Sequence, residues 1–199
     1  LTVSLPQFLG WSYREIFTPV HVRFHELVMG PTCSIVFENE PMEKNTMQQK
    51  PRPMTETFLN WRELGMSILQ GLMITVGVLF MYQLTLKQGG NEAQVRTMVF
   101  STLIFANIFL TLVNRSFYFS FVTTLRYKNN LLLGIITITL AILATMLFVD
   151  PVAAFFQLVH PELSDIGRCA GIAFISVFWF EAVKVWRRAR NAPILERNQ

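Results

Sequence analysis

The apolar positions of this chain come in blocks rather than at helical or strand spacing. Residues 16–37, 64–86, 97–114, 131–149 and 166–186 form five such blocks, with polar stretches between them. At 1.5 Å per residue each is about long enough to cross the ~30 Å hydrocarbon layer of a bilayer. The pattern predicts an all-α fold, a polytopic transmembrane helical bundle of five spans with no sheet.

The first span is the most polar. Residues 19–41 read PVHVRFHELVMGPTCSIVFENEP, with Arg23, His25 and Glu26 ahead of Met29-Gly30-Pro31. Pro31 removes an amide donor and Gly30 loosens the turn, so the span is expected to unwind near Gly30-Pro31 and leave carbonyls near Val28 and Met29 without partners. Freed carbonyls beside the Glu26 carboxylate would make a cation site, since charged groups at that depth mark an ion path or a buried pair. The blander alternative is a proline-kinked helix whose charges pair with each other.

Residues 1–15 read as the end of a preceding helix and an outer loop, and 38–62, with Pro41, Pro51 and Pro53, as a connector lying against the membrane. Span 64–86 is uncharged and carries Gly65, Gly71 and Gly77 at intervals of six, small residues that let a neighbouring backbone approach. Span 97–114 has Asn107 at its middle, an amide that either bonds a neighbouring helix or serves as a ligand. The aromatic residues of 115–130 have the composition of an interfacial belt. In span 131–149, Thr137, Thr139 and Thr145 can bond back to their own helix. The segment after Asp150-Pro151 is too short and too broken by Pro161 to cross, and reads as interfacial. Span 166–186 has Glu181 and Lys184 near its end and leads into a basic tail, 187–199.

Composition sharpens the class. A content of 52% hydrophobic and 15% charged residues is that of an integral membrane protein. The net charge of +4 is spread over short loops, which suits topology rather than nucleic-acid binding. Twelve Lys and Arg fall on the side of the 38–62 connector, the 115–130 bend and the tail taken with Lys184, against four, Arg14, Lys87, Arg96 and Arg168, on the other. That bias predicts a cytoplasmic C-terminus, in the plasma (inner) membrane. Cys33 and Cys169 stand alone in apolar segments and read as reduced packing residues. No Ser/His/Asp set, phosphate-binding Gly-rich loop or zinc spacing supports a soluble enzyme.

Several stretches taken together resemble the C-terminal membrane domain of P-type cation-transporting ATPases, in the branch containing calcium pumps. PVHVRFHELVMGPTCSIVFENEP and the later Pro51-Arg52-Pro53 resemble that family's sixth transmembrane helix and the loop after it. RTMVFSTLIFANIF at 96–109 resembles the start of the eighth. Arg115-Ser116 and Asn129-Asn130 fall at the turn from eighth to ninth; Asp150-Pro151, and Glu181 and Lys184 before the basic tail, resemble the ends of the ninth and tenth.

The resemblance implies ATP-driven transport through a phosphorylated aspartate in a cytoplasmic head. Mg²⁺ and ATP would then belong to the parent's actuator, phosphorylation and nucleotide-binding domains, which together with the missing N-terminal helices and the lipid bilayer are the implied partners. The chain has neither an Asp-Lys-Thr-Gly-Thr nor a Thr-Gly-Glu-Ser motif, so it reads as a piece of a longer protein, needing no cofactor and inactive as an ATPase alone. Carried over by position, Glu26 stands at the sixth helix's first side-chain ligand and Asn107 where some members have a ligand Glu. Met29 and Gly30 stand where calcium pumps have Thr and Asp, so they lack the hard oxygens of a Ca²⁺ site. The implied ion-binding set is Glu26 and Asn107 with the backbone carbonyls of Val28 and Met29. Arg23, three residues before Glu26, is a candidate counter-ion in place of a cation, or else snorkels to the surface. His25 points roughly 100° away and reads as an interhelix hydrogen-bonding residue. The transported ion would be calcium, another cation or a proton; the alternative function is a non-transporting scaffold or partner-binding domain of the same fold.

Overall fold

In lipid every backbone N–H and C=O needs an internal partner, and a chain of apolar runs meets that need by coiling each run on itself. The computed structural model describes residues 17–38, 61–114 and 130–195, and in them helices are the only regular structure. The readings made for 1–15, for most of the 38–62 connector, for the 115–129 bend and for the last four residues lie outside these, as do the side chains of Val28, Met29 and Cys33. The helices are α1 (Pro19–Glu38), α2 (Trp61–Lys87), α3 (Glu92–Val113), α4 (Asn130–Phe148), α5 (Asp150–Phe155) and α6 (Leu163–Leu195). Four segments are long and apolar enough to cross a membrane: Leu64–Lys87, Glu92–Val113, Leu131–Phe148 and Leu163–Lys184. The fifth expected span, α1, has 20 residues, enough in length, but Arg23, His25 and Glu26 keep it out of that apolar set.

The expected unwinding of α1 is overturned: the helix runs through Gly30 and Pro31 without a break. Pro31 can withhold only one hydrogen bond, the one its missing N–H would have given the Leu27 carbonyl. Unwinding would strand several further groups that lipid cannot satisfy. With no break, the carbonyls of Val28 and Met29 stay within the helical ladder, and the premise for their freedom is gone.

Helix ends extend past the apolar blocks because polar residues cap and prolong them. At the start of α3 the Asn91 side chain accepts from the Gln94 amide at 2.9 Å, so the helix begins five residues before the charge-free block. The turn leading into it uses Gly89 at φ 78°, a left-handed conformation that suits glycine. α6 starts at Leu163 and continues to Leu195, taking most of the basic tail into the helix. Thr137, Thr139 and Thr145 each donate to the carbonyl four residues back, at 2.8 to 2.9 Å.

α3 is the axis of the bundle. Of its membrane window 61% is buried, against 33% or less in the other three. It packs most extensively on α6 and next on α2, and α2 and α6 also pack on each other. Val95, Val99, Phe100, Ile104 and Ile108 of α3 join Ile74, Val78 and Tyr82 of α2 and Ala173, Val177 and Phe180 of α6 in one apolar core. α1 touches the rest sparsely, through α4 and α3.

The segment after α4 is not simply interfacial. α5 is a single short helix, and Ala153, Phe156 and Leu158 bury themselves in the bundle. The following loop is tied to α3 by the Val159 amide, which donates to Thr97 Oγ1 at 2.9 Å, and by Arg96, which donates to Gln157 Oε1 at 2.9 Å and pairs with Glu92 at 2.6 Å. Arg96 is therefore 5% exposed and structural, not one of the free loop cations that the topology count assumed. Gln157 sits at φ 51°, a left-handed conformation uncommon outside glycine, held by the Arg96 contact.

His160 joins the α4 end to α5: Nδ1 meets the Leu147 carbonyl at 2.5 Å and Nε2 the Asp150 carboxylate at 2.9 Å. Only the charged ring donates from both nitrogens. The Asp150 hydrogen bond first, and the Leu147 carbonyl next, raise its pKa above the usual histidine value. A group with a raised folded pKa adds stability below its unfolded pKa and loses it as pH rises through the folded one. We expect the wild type to melt slightly higher at pH 6 than at pH 8. His160→Gln should remove that slope, measured by thermal unfolding across the range; the effect is small because the pair is exposed.

Candidate functional site

A cleft of about 350 Å³ lies where α1, α2 and α3 meet. α1 lines it with His21, Val22, His25 and Glu26, a stripe at the i, i+4 spacing that places residues one above another on a helix face. α3 contributes Phe100, Leu103, Asn107 and Leu110, again one face, and α2 contributes Gly71, Ile74 and Thr75. Nothing lies within 4 Å of where a Gly71 Cβ would stand, so that glycine leaves room in the cleft rather than admitting a helix.

The polar contacts determine which atoms can act. Asn107 Nδ2 donates to the Leu103 carbonyl at 2.8 Å and lies 2.9 Å from His25 Nε2. A carbonyl can only accept, so this atom is the amide nitrogen, and with both its hydrogens in use His25 Nε2 must be the acceptor. His25 then carries its proton on Nδ1. Asn107 Oδ1 makes no hydrogen bond among the described residues and is the uncommitted oxygen of the pair. Glu26, one residue along, is exposed.

The structure thus brings Glu26 and Asn107 to one cleft although 81 positions separate them. It does not bring Arg23 there: Arg23 is exposed, lies outside the lining, and makes no ion pair with Glu26 among the described residues. Val28 and Met29 belong to the unbroken part of α1. No group of three or more His, Cys, Asp and Glu is gathered among the described residues. On its own the cleft offers a cation one carboxylate and one amide oxygen, short of the six to eight oxygens of a Ca²⁺ shell.

Two residues stand out that sequence reasoning passed over or set aside. His25 is an interhelix bonding residue, and its partner is Asn107 itself. His21 is 1% exposed at the end of the cleft nearer the α5–α6 loop. The signal was the spacing: 21 and 25 share a helix face with the cleft.

A search of curated proteins finds no match to the chain. The family described as cation transporting ATPase, C-terminus, matches residues 14–186, which takes in every membrane helix described above. The chain belongs to that family and is the C-terminal, multi-pass membrane portion of a cation-transporting P-type ATPase.

Proposed function

We propose that the cleft between α1, α2 and α3 is part of the path of the transported cation, with Glu26 as its charged ligand and Asn107 Oδ1 as a neutral one. The observation that carries this reading is the convergence, in one cavity, of a carboxylate with no ion pair among the described residues and an uncommitted amide oxygen. The remaining ligands would come from helices of the parent protein outside this chain. Met29 and Gly30 supply no hard side-chain oxygen, so a calcium cargo would need most of its shell from those helices, whereas another cation or a proton would need less. Transport would be driven by Mg²⁺ and ATP in the parent's cytoplasmic domains, with the C-terminus of α6 on the cytoplasmic side of the plasma membrane, as the Lys and Arg bias supports.

One observation favours a second reading, a scaffold that does not transport: His25 and Asn107 are hydrogen-bonded to each other, as a mere interhelix pin would be. Glu26→Gln in the full-length transporter separates the two. Contacts to a charged group are worth about 1.5–3 kcal/mol, so apparent cation affinity in an ion-stimulated ATPase assay should fall about ten- to a hundredfold. An unchanged ion dependence in a folded protein would leave the scaffold.

A further inference from the structure

We propose that His21 is a positioning residue that latches the outer turn of α1 to the loop after α5, and that this latch with its ring of phenylalanines gates the loop-side end of the cation cleft. The inference rests on the reading of the cleft as an ion path. His21 Nε2 donates to the Phe156 carbonyl at 2.8 Å, a bond between residues 135 apart in sequence. In the neutral ring Nδ1 then accepts from the Thr18 hydroxyl, 2.6 Å away, which fixes the ring plane. The rings of Phe17, Phe100 and Phe156 surround it with centroids 6.1, 5.5 and 5.7 Å from its own, in tilted and edge-on contacts.

Each side of the latch is held differently. The Phe156 side is fixed, because the loop is bonded to α3 through Thr97 and Arg96. The α1 side has few other contacts with the bundle. Among the described residues two hydrogen bonds tie α1 to the bundle, His25 to Asn107 deeper in the cleft and His21 to Phe156 at the loop end, so movement of the loop-side turn would turn on the second. Phe17, His21 and Phe100 also line the cleft, and Glu26 lies five residues beyond His21, about 7.5 Å along the helix. An ion leaving Glu26 toward the loop meets this ring next. Opening it exposes the Phe156 carbonyl without a partner, so the closed state is favoured until the helix is driven to move.

The test is the labelling rate of a Thr75→Cys reporter in the cleft by a charged, membrane-impermeant thiol reagent added outside. It uses the full-length transporter, with the reporter-free protein subtracted. His21→Phe keeps the ring's bulk and loses both hydrogen bonds; labelling should rise about tenfold, the change one lost hydrogen bond makes in an opening equilibrium. His21→Gln can still donate to Phe156 and should stay within about twofold of wild type. Thr18→Val leaves the ring in place and should raise the rate by less than His21→Phe, which serves if the phenylalanine variant does not fold. Equal rates in wild type and both bond-breaking variants would overturn the latch, and so would a glutamine variant labelled as fast as the phenylalanine one. Labelling needs no transported ion: faster labelling in the latch variants alongside an unchanged Glu26→Gln ion dependence would support the gate while removing the ion-path reading.

Discussion

Replacing Lys184 by methionine should destabilise the protein by about 3–5 kcal/mol, the range for removing one member of a buried ion pair. Lys184 is 3% exposed, and its Nζ donates to Glu181 Oε1 at 2.8 Å and to the Val113 carbonyl at 2.5 Å, above the Phe180 ring at 5.2 Å. Val113 is the last residue of α3, where helical carbonyls have no partner of their own and the helix dipole presents its negative end. A lysine from α6 thus caps α3 and joins the two most heavily packed helices at that end. Methionine keeps the stem and removes the charge, leaving a terminal carbonyl and a buried carboxylate without their ammonium. Replacing Glu181 by leucine in the same protein removes that carboxylate, so the double variant should regain at least half of the loss. Thermal unfolding of the purified protein in detergent measures both. A single-variant cost below about 1 kcal/mol, or a double variant as weak as the summed singles, would show that the pair does not hold α3 and α6 together.

Glu181 and Lys184 were visible in the sequence as two charges three apart near the end of an apolar block, yet nothing there said that Lys184 reaches the end of α3. This marks what the sequence could show. Long apolar blocks identify helices because lipid admits little else, and the spans at 64–86, 97–114 and 131–149 are legible for that reason. Their ends are not, since polar caps such as Asn91 and tails such as 187–195 extend a helix without adding hydropathy. Arg96 looked like a loop cation because its sign is readable and its burial is not; Gln157 and Glu92 decide that. Pro31 promised a break on local chemistry, but one missing donor weighs less than the several groups that unwinding would expose.

The candidate site divides in the same way. Glu26 and Asn107 were identifiable by type and depth, as polar groups that a span has reason to avoid. Their meeting in one cleft is tertiary, set by how α1 lies across α3, and so is the bond from His25 to Asn107. Arg23 shows the limit of helix geometry: three residues before Glu26 it could pair with it, yet both are exposed and no ion pair forms between them.

The same limit separates three glycines that look alike in sequence, and it gives the second large effect. Gly77→Ala should weaken the protein by about 1–2 kcal/mol, and Gly77→Leu by about 3 kcal/mol or more, as overpacking of a close helix contact does. A Cβ on Gly77 would overlap Ser176 Oγ and stand 2.9 Å from Ser176 Cβ and 3.7 Å from an Ile172 methyl, so α2 and α6 would have to separate. Ser176 offers little relief, because its short side chain is held by a bond to the Ile172 carbonyl at 2.8 Å. Gly65 and Gly71, twelve and six positions earlier, have nothing within 4 Å of the same added carbon. There alanine should be neutral or stabilising by up to about 1 kcal/mol, since only the helix preference for alanine over glycine remains. Adding Ser176→Gly to Gly77→Ala clears the overlapping atoms and should restore most of the clash energy, less the cost of a new glycine in α6. Melting temperatures of the three single alanine variants and the double variant decide the matter: three equal shifts, or no rescue, would mean that α2 and α6 do not meet at Gly77.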